Sequence, residues 1–385
     1  MPKLFCVYAR GRAEHSLNAT KSDLNYTQPD ITYTKLFTKF SLFLRPIIHY
    51  NSMNELKKYA VFGAGSWATA IVKMLCENLD EVGWYMRSVY TKEHLLKEDH
   101  NPSYLSSVEF KTEQLRLSND INEMAEWADV LIFVIPSAFM HAELEKLTFD
   151  IREKVIVSAV KGIIPESGKL VGEHFHDVYD VTLENIAVIA GPCHAEEVAL
   201  ERLSYLTISC ADPKKAQAIA DNLSSDYIKT KISDDIIGTE YAVMLKNIYA
   251  IAAGIAHGLG YGDNFQSVLM SNAIREMKRF IKKRHQMKRN INNSAYLGDL
   301  LVTGYSVFSR NRMFGNMIGK GYTVKSAQME MNMVAEGYYA TKSAYELNSS
   351  EDQKVKIPII NAVYGVLYEN KNPKKVFQKL TDKLD

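Results

Sequence analysis

Two lysines, one aspartate and a short basic cluster carry the side chains most suited to chemistry. Lys246 lies in YAVMLKNIYAIAAGIA, the most apolar helix-like stretch of the chain. Apolar surroundings push a lysine toward its neutral form, because desolvation penalises the ammonium. A lysine poised near neutrality is what general acid/base catalysis requires. The same position also suits a core lysine that snorkels or forms an ion pair, and the helix alone does not separate the two. Lys161 closes VIVSAV as VKG, at the carboxyl end of an apolar strand, where α/β sheets bind ligands. A lysine snorkelling at the sheet rim is its plainer reading. Asp299 sits in the glycine-marked LGDL, and ten residues later comes Ser309-Arg310-Asn311-Arg312. Guanidinium forks and an amide suit a phosphate or a carboxylate, although such residues are also ordinary at a helix start.

A second constellation is Gly63-Ala64-Gly65-Ser66-Trp67-Ala68, between an apolar strand and a helical run. This GxGxxA pattern is a permitted form of the dinucleotide fingerprint. Gly63 allows the tight turn, Gly65 lets a pyrophosphate approach the backbone, and Ala68 lets helix and strand pack closely. The phosphate then meets free N–H groups and the positive end of the helix dipole. NAD-specific folds place an acidic residue about 20 positions on, at the end of the second strand. This chain offers Arg87 there. An arginine can pair with a 2′-phosphate, so NADP is tolerated besides NAD; a surface arginine without that task is the alternative.

These residues need a scaffold. From Lys58 onward, short apolar runs alternate with helical segments: 58–63, 82–87, 130–135, 155–159, 186–190 and 205–209 read as strands. Continuous apolar strands between helices predict a parallel sheet covered on both faces. Beyond about Gly238 only helical periodicity follows, over 239–257, 264–284, 296–303, 323–347 and 359–369. The expected fold is an α/β Rossmann-type dinucleotide-binding domain (53–238) followed by an all-α substrate-binding and catalytic domain (239–385). Residues 1–52, with seven Lys/Arg against three Asp/Glu, read as an extension. It is expected to be poorly ordered, with Met53 the favoured start of translation.

Composition narrows the function classes. Across 385 residues the net charge is +1, so no bulk basic excess favours nucleic acid. Cys6, Cys76, Cys193 and Cys210 are scattered without a CxxC pair, which suits a reducing cytoplasm. Asn247–Gly262 is too short and too glycine-rich for a membrane span. His174 and His176 lack supporting ligands, so no metal is expected. The basic run Lys278–Arg289 reads as a solvated helix end plus loop.

GAGSWATA, FVIPS, SAVKGI, AGPCHAEEVA, MLKNIYAIAAGIAHG, YLGDLLVT, SRNRMFG and VAEGYYAT stand in this order. Together, from about Lys57 to Tyr368, they resemble the bacterial NAD(P)-dependent glycerol-3-phosphate dehydrogenase family. The resemblance implies a cytoplasmic, dimeric enzyme interconverting dihydroxyacetone phosphate and sn-glycerol 3-phosphate for phospholipid synthesis. It implies Lys246 as proton donor and acceptor, with Lys161 and Asp299 completing the polar site. Ser309, Arg310 and Asn311 would hold the substrate phosphate, and Gly191 and Cys193 lie on the substrate loop. Ser66, Trp67, Arg87, Ala195, Val334 and Glu336 would contact the cofactor, with Arg310 also near it.

The loop Gly191-Pro192-Cys193-His194-Ala195 departs from the family's usual G-P-[ST]-F-A. A thiol is a poorer hydrogen-bond partner than a hydroxyl, and His194 reads as a substitute for Phe rather than a base. Two rivals are another β-hydroxyacid-type dehydrogenase and an inactive NAD(P)-binding sensor. LGDL and SRNR argue against the first, and the presence of both lysines and Asp299 against the second.

Overall fold

The computed structural model describes residues 56–331, 335–351 and 354–385. The extension 1–52, the start at Met53 and the cofactor residue Val334 lie outside the described residues.

Among the described residues ten strands form in chain order: β1 (Tyr59–Phe62), β2 (Val82–Tyr85), β3 (Leu115–Ser118), β4 (Val130–Phe133), β5 (Val155–Ser158), β6 (Ile163–Ile164), β7 (Lys169–Leu170), β8 (Ile186–Ala190), β9 (Ser204–Cys210) and β10 (Ile228–Ser233). β6 and β7 make a separate small hairpin; the other eight lie side by side in the order β10-β9-β8-β5-β4-β1-β2-β3. Every residue of β1, β2, β4 and β5 is buried, as helices on both faces require. β1 pairs in parallel with both β2 and β4, so the chain reverses its direction of travel across the sheet there. Such a switch point leaves a crevice beyond the carboxyl ends of the strands.

The sheet is not wholly parallel as expected: β9 runs antiparallel to β8. Four strands have no counterpart among the expected runs: β3 and β10 in this sheet, and β6 and β7 in the small hairpin. The helical region begins at Ile236 rather than Thr239, and the stretch predicted over 323–347 is broken into Val324–Glu330 and Glu336–Ser349. The basic run also departs from expectation, because two of its cations turn inward. Arg284 stacks 3.6 Å from the centre of the Phe280 ring, and Arg289 binds the carboxylate of Asp235.

The helix Ile236–Gly258 is buried without interruption from Gly238 to Ala256, so it has no solvent face and forms the axis of the helical region. Against it lies Arg310–Gly319, at a distance set by glycine. A Cβ on Gly315 would stand 2.1 Å from the Ile251 carbonyl oxygen, and one on Gly254 2.0 Å from that of Arg312. This backbone contact fixes Lys246 and Arg310, which ride on the two helices, relative to one another. Glu240, on the same axis, reaches under the sheet and accepts the Gly172 N–H at 3.1 Å. Burial pushes its carboxyl up to about 8. Among the described residues no helix is long and apolar enough to cross a membrane.

Candidate active site

The glycine turn follows β1 directly. Gly63 has φ +126°, and a Cβ there would press within 3.1 Å of the Val134 carbonyl oxygen, so the turn demands glycine. A Cβ on Gly65 would meet nothing within 4 Å. That position faces open space, as a phosphate cradle needs. The helix Ser66–Cys76 begins here without a side-chain cap or an acidic residue in its first turn. Its free N–H groups and dipole are left for an anion.

A cavity of about 760 Å³ runs from this turn, past the ends of β4 and β5, to the helical region. Gly63, Gly65, Ser66, Trp67 and the exposed Arg87 line its cofactor side. Lys161, Cys193, Ala195, Lys246 and Asp299 line its inner part, and Ser309, Arg310, Asn311 and Glu336 the facing wall. Of the residues expected from sequence, Gly191 does not line the cavity. It lies behind it, with φ +125°, and donates its N–H to Asp299 Oδ2 at 3.3 Å.

Lys246 and Asp299 form a buried ion pair, the lysine 6% exposed and the aspartate 2%. The lysine therefore takes the ion-paired form, one of the alternatives that its helix leaves open. The second lysine of the cavity is Lys161. Burial, then the positive charges of Lys246 and Arg310, bring it down to about 8, against partial support from Glu336 and Asp299. Its ammonium stands 5.8 Å from the Trp67 ring centre, between the glycine turn and the helical region. Burial raises the Glu336 carboxyl above its usual range, opposed by Lys161, Arg310 and Lys246.

Arg310 donates to the Ser66 hydroxyl, joining the SRNR helix to the first turn of the cofactor helix. Ser309 is occupied as the N-cap of its own helix, accepting from Arg312 N at 3.3 Å. Asn311 uses its carbonyl oxygen to hold Gly337 N at 2.9 Å, fixing the start of the helix that begins with Glu336. In this cluster Arg310 is the residue best placed to take a phosphate.

On the loop after β8, burial pushes the Cys193 thiol up to about 12. His194 is brought down to about 4, by burial first and then by Lys161 and Lys246. Its ring lies 6.2 Å from that of Phe308. It is neutral and packed at neutral pH. Among the described residues no group of three His, Cys, Asp or Glu is arranged to hold a metal.

Several cavity residues lie outside the expected set, and two of them lie near the Lys246–Asp299 pair in sequence. Asn247 is 2% exposed, lines the cavity, and leaves its side-chain N–H₂ without a partner. Thr303 lines the cavity and donates to the Asp299 carbonyl at 2.7 Å. Each has a signal in retrospect: Asn247 adjoins Lys246, and Thr303 lies one helical turn beyond Asp299.

This geometry has relatives. Residues 58–216 match the NAD-dependent glycerol-3-phosphate dehydrogenase N-terminus, and residues 235–378 match its C-terminus. The chain belongs to this family. The glycerol-3-phosphate dehydrogenase [NAD(P)+] of Oceanobacillus iheyensis is 35% identical over 331 residues, covering 85% of this chain and 94% of that protein. That of Latilactobacillus sakei is 36% identical over 315 residues, 80% of this chain and 92% of its own. The crystal structure of glycerol-3-phosphate dehydrogenase from Coxiella burnetii superposes with a TM-score of 0.78 at 28% identity, over 84% of this chain and 98% of that one. The family's two parts correspond to the sheet and to the helical region whose facing walls enclose the cavity.

Proposed function

We propose that this protein interconverts dihydroxyacetone phosphate and sn-glycerol 3-phosphate with NAD(P)(H), Lys246 moving the proton at the substrate C2 oxygen. The observation that carries the proposal is the Lys246–Asp299 pair, set beside Lys161 in a cavity continuous with the uncapped glycine turn. The residues present fit a dinucleotide. Gly65 leaves space, the helix N-terminus is free, and Arg87, which lines the cavity just after β2, is assigned to the adenosine ribose or its 2′-phosphate. When bound, the reduced nicotinamide supplies the hydride that converts a ketone carbon to an alcohol.

The chain's own part is the proton and the charge. The Lys246 ammonium donates to the oxygen as negative charge develops on it, and takes the proton back in the oxidative direction. Asp299 holds that ammonium in place and compensates its burial, its carboxylate itself steadied by Gly191 N. Lys161 adds a second positive group near the same oxygen, where low dielectric strengthens its effect. Arg310, with Asn311 beside it, holds the substrate phosphate by charge-assisted bonds. Ser309, Cys193, Ala195 and Glu336 shape the remaining walls.

The division into a cofactor domain and a substrate domain, with its boundary moved to Ile236, is part of the proposal. So are a homodimeric state, a role in phospholipid synthesis and a cytoplasmic location, the last supported by free thiols at Cys76, Cys193 and Cys210. The test is NADH or NADPH oxidation followed by absorbance. Rapid turnover with dihydroxyacetone phosphate and very slow turnover with dihydroxyacetone is the expected result. Equal rates on the two, or none on either, would refute it.

A further inference from the structure

Asp299 is delivered to the site by an irregular element. The turn Ser294–Gly298 is π-helical and passes directly into the helix Asp299–Tyr305. Such turns are rare and concentrate at functional sites. The group that holds this one lies outside the cavity lining. Asp235 is 3% exposed and caps the helix that carries Lys246, accepting from Gly238 N at 3.0 Å. The same carboxylate accepts the Tyr296 hydroxyl at 2.5 Å, from the middle of the π-helical turn. Arg289 completes the cluster with two bonds, Nε to Oδ2 at 2.6 Å and Nη2 to Oδ1 at 2.9 Å. Arg289 Nη1 donates to the His285 carbonyl at 3.1 Å, and Nη2 also lies 3.2 Å from His285 Nδ1.

One buried carboxylate is thus bonded to both elements whose side chains meet as Lys246 and Asp299. Burial pushes Asp235 up, but the bonds from Arg289 and Tyr296 outweigh it and hold the carboxyl below its usual range. Burial, then the nearby Asp235 carboxylate, raises the Tyr296 hydroxyl, so it remains a donor. The bidentate Arg289 fork gives the cluster a fixed geometry that a lysine would not.

We propose that Asp235, Arg289 and Tyr296 form a positioning network that registers the π-helical turn against the Lys246 helix and so sets the geometry of proton transfer. The inference rests on the proton-transfer role of Lys246 proposed above. A displacement of about 1 Å in a catalytic group costs about 100-fold in rate. Loss of one support among several is therefore expected to cost roughly tenfold.

Tyr296→Phe keeps the ring and removes only the hydroxyl. The expected result is kcat lowered roughly tenfold, with the Kd for NADPH changed less than about twofold and a larger solvent deuterium effect on kcat. Arg289→Ala should behave likewise, and Arg289→Lys should recover part of the loss. A cluster serving only stability would lower the melting temperature and leave kcat per folded enzyme and its solvent isotope effect unchanged; that outcome overturns the proposal. If Tyr296→Phe does not fold, the two Arg289 variants carry the same comparison. Lys246→Met in the same assay separates the two readings. If it turns over normally, the proton-transfer role falls and the network with it. If it is inactive while Tyr296→Phe and Arg289→Ala match wild type, the network alone is wrong.

Discussion

Lys161 holds its charge at a cost, and that cost is measurable as a pH dependence of stability. Replacing it by methionine keeps an unbranched apolar stem of similar length and removes the ammonium. In the folded protein Lys161 titrates near 8 against an ordinary 10.5, chiefly because it is buried. At about 1.4 kcal/mol per unit, that difference is a penalty of roughly 3 kcal/mol in the ligand-free enzyme. The sign follows from proton counting. Between about 8 and 10.5 the unfolded chain binds more protons at this position than the folded one, so wild-type stability rises with pH through that window. Below 8 the penalty is fully present, and above 10.5 it is gone. Lys161→Met should therefore be more stable than wild type at pH 7 by up to about 3 kcal/mol. The advantage should shrink steadily as pH rises from 8 towards 10. Urea denaturation of both proteins at pH 7, 8, 9 and 10, without cofactor or substrate, reads this directly. The same variant should lose most of its turnover, a trade of function for stability common at active sites. A variant less stable than wild type at pH 7, or one whose advantage is flat with pH, refutes the reasoning.

Three further outcomes are expected. Lys246→Ala should lose at least about 100-fold in kcat while still binding NADPH by fluorescence titration, since general acid catalysis contributes about 10²–10⁴. Arg310→Ala should lower kcat/KM for dihydroxyacetone phosphate by about 30- to 1,000-fold, and much less for dihydroxyacetone, with Lys rescuing only in part. If both substrates slow equally in a folded variant, Arg310 does not read the phosphate. Gly315→Ala should destabilise the protein by about 1–3 kcal/mol or more in thermal unfolding, because its methyl would meet backbone of the facing helix that cannot swing away.

The parts of this molecule legible in sequence are those whose cause is local. β1, β2, β4, β5 and β8 are apolar runs because both their faces are covered, β9 is buried at all but one residue, and the glycine turn is written in the residues that its geometry demands. β3 and β10, by contrast, are the two outermost strands of the sheet. Edge strands carry solvated and charged residues, here LRLS and IKTKIS, so no apolar run announces them. The reversed direction of β9 was hidden for another reason: its composition is that of any buried strand, and direction is a property of the connection. The lysines make the same division within the site. Apolar neighbours in sequence leave Lys246 open to a free or an ion-paired reading, and the partner that decides it, Asp299, lies 53 positions away. Lys161 is lowered chiefly by burial, and the positive charges of Lys246 and Arg310, which add to it, come from distant segments. Burial has a signature in sequence; the company a buried charge keeps does not. For that reason the Lys246–Asp299–Lys161 arrangement needed the fold before its roles could be divided. For the same reason Arg289, read from its basic run as solvated, proved to be folded against the Asp235 cap of the Lys246 helix.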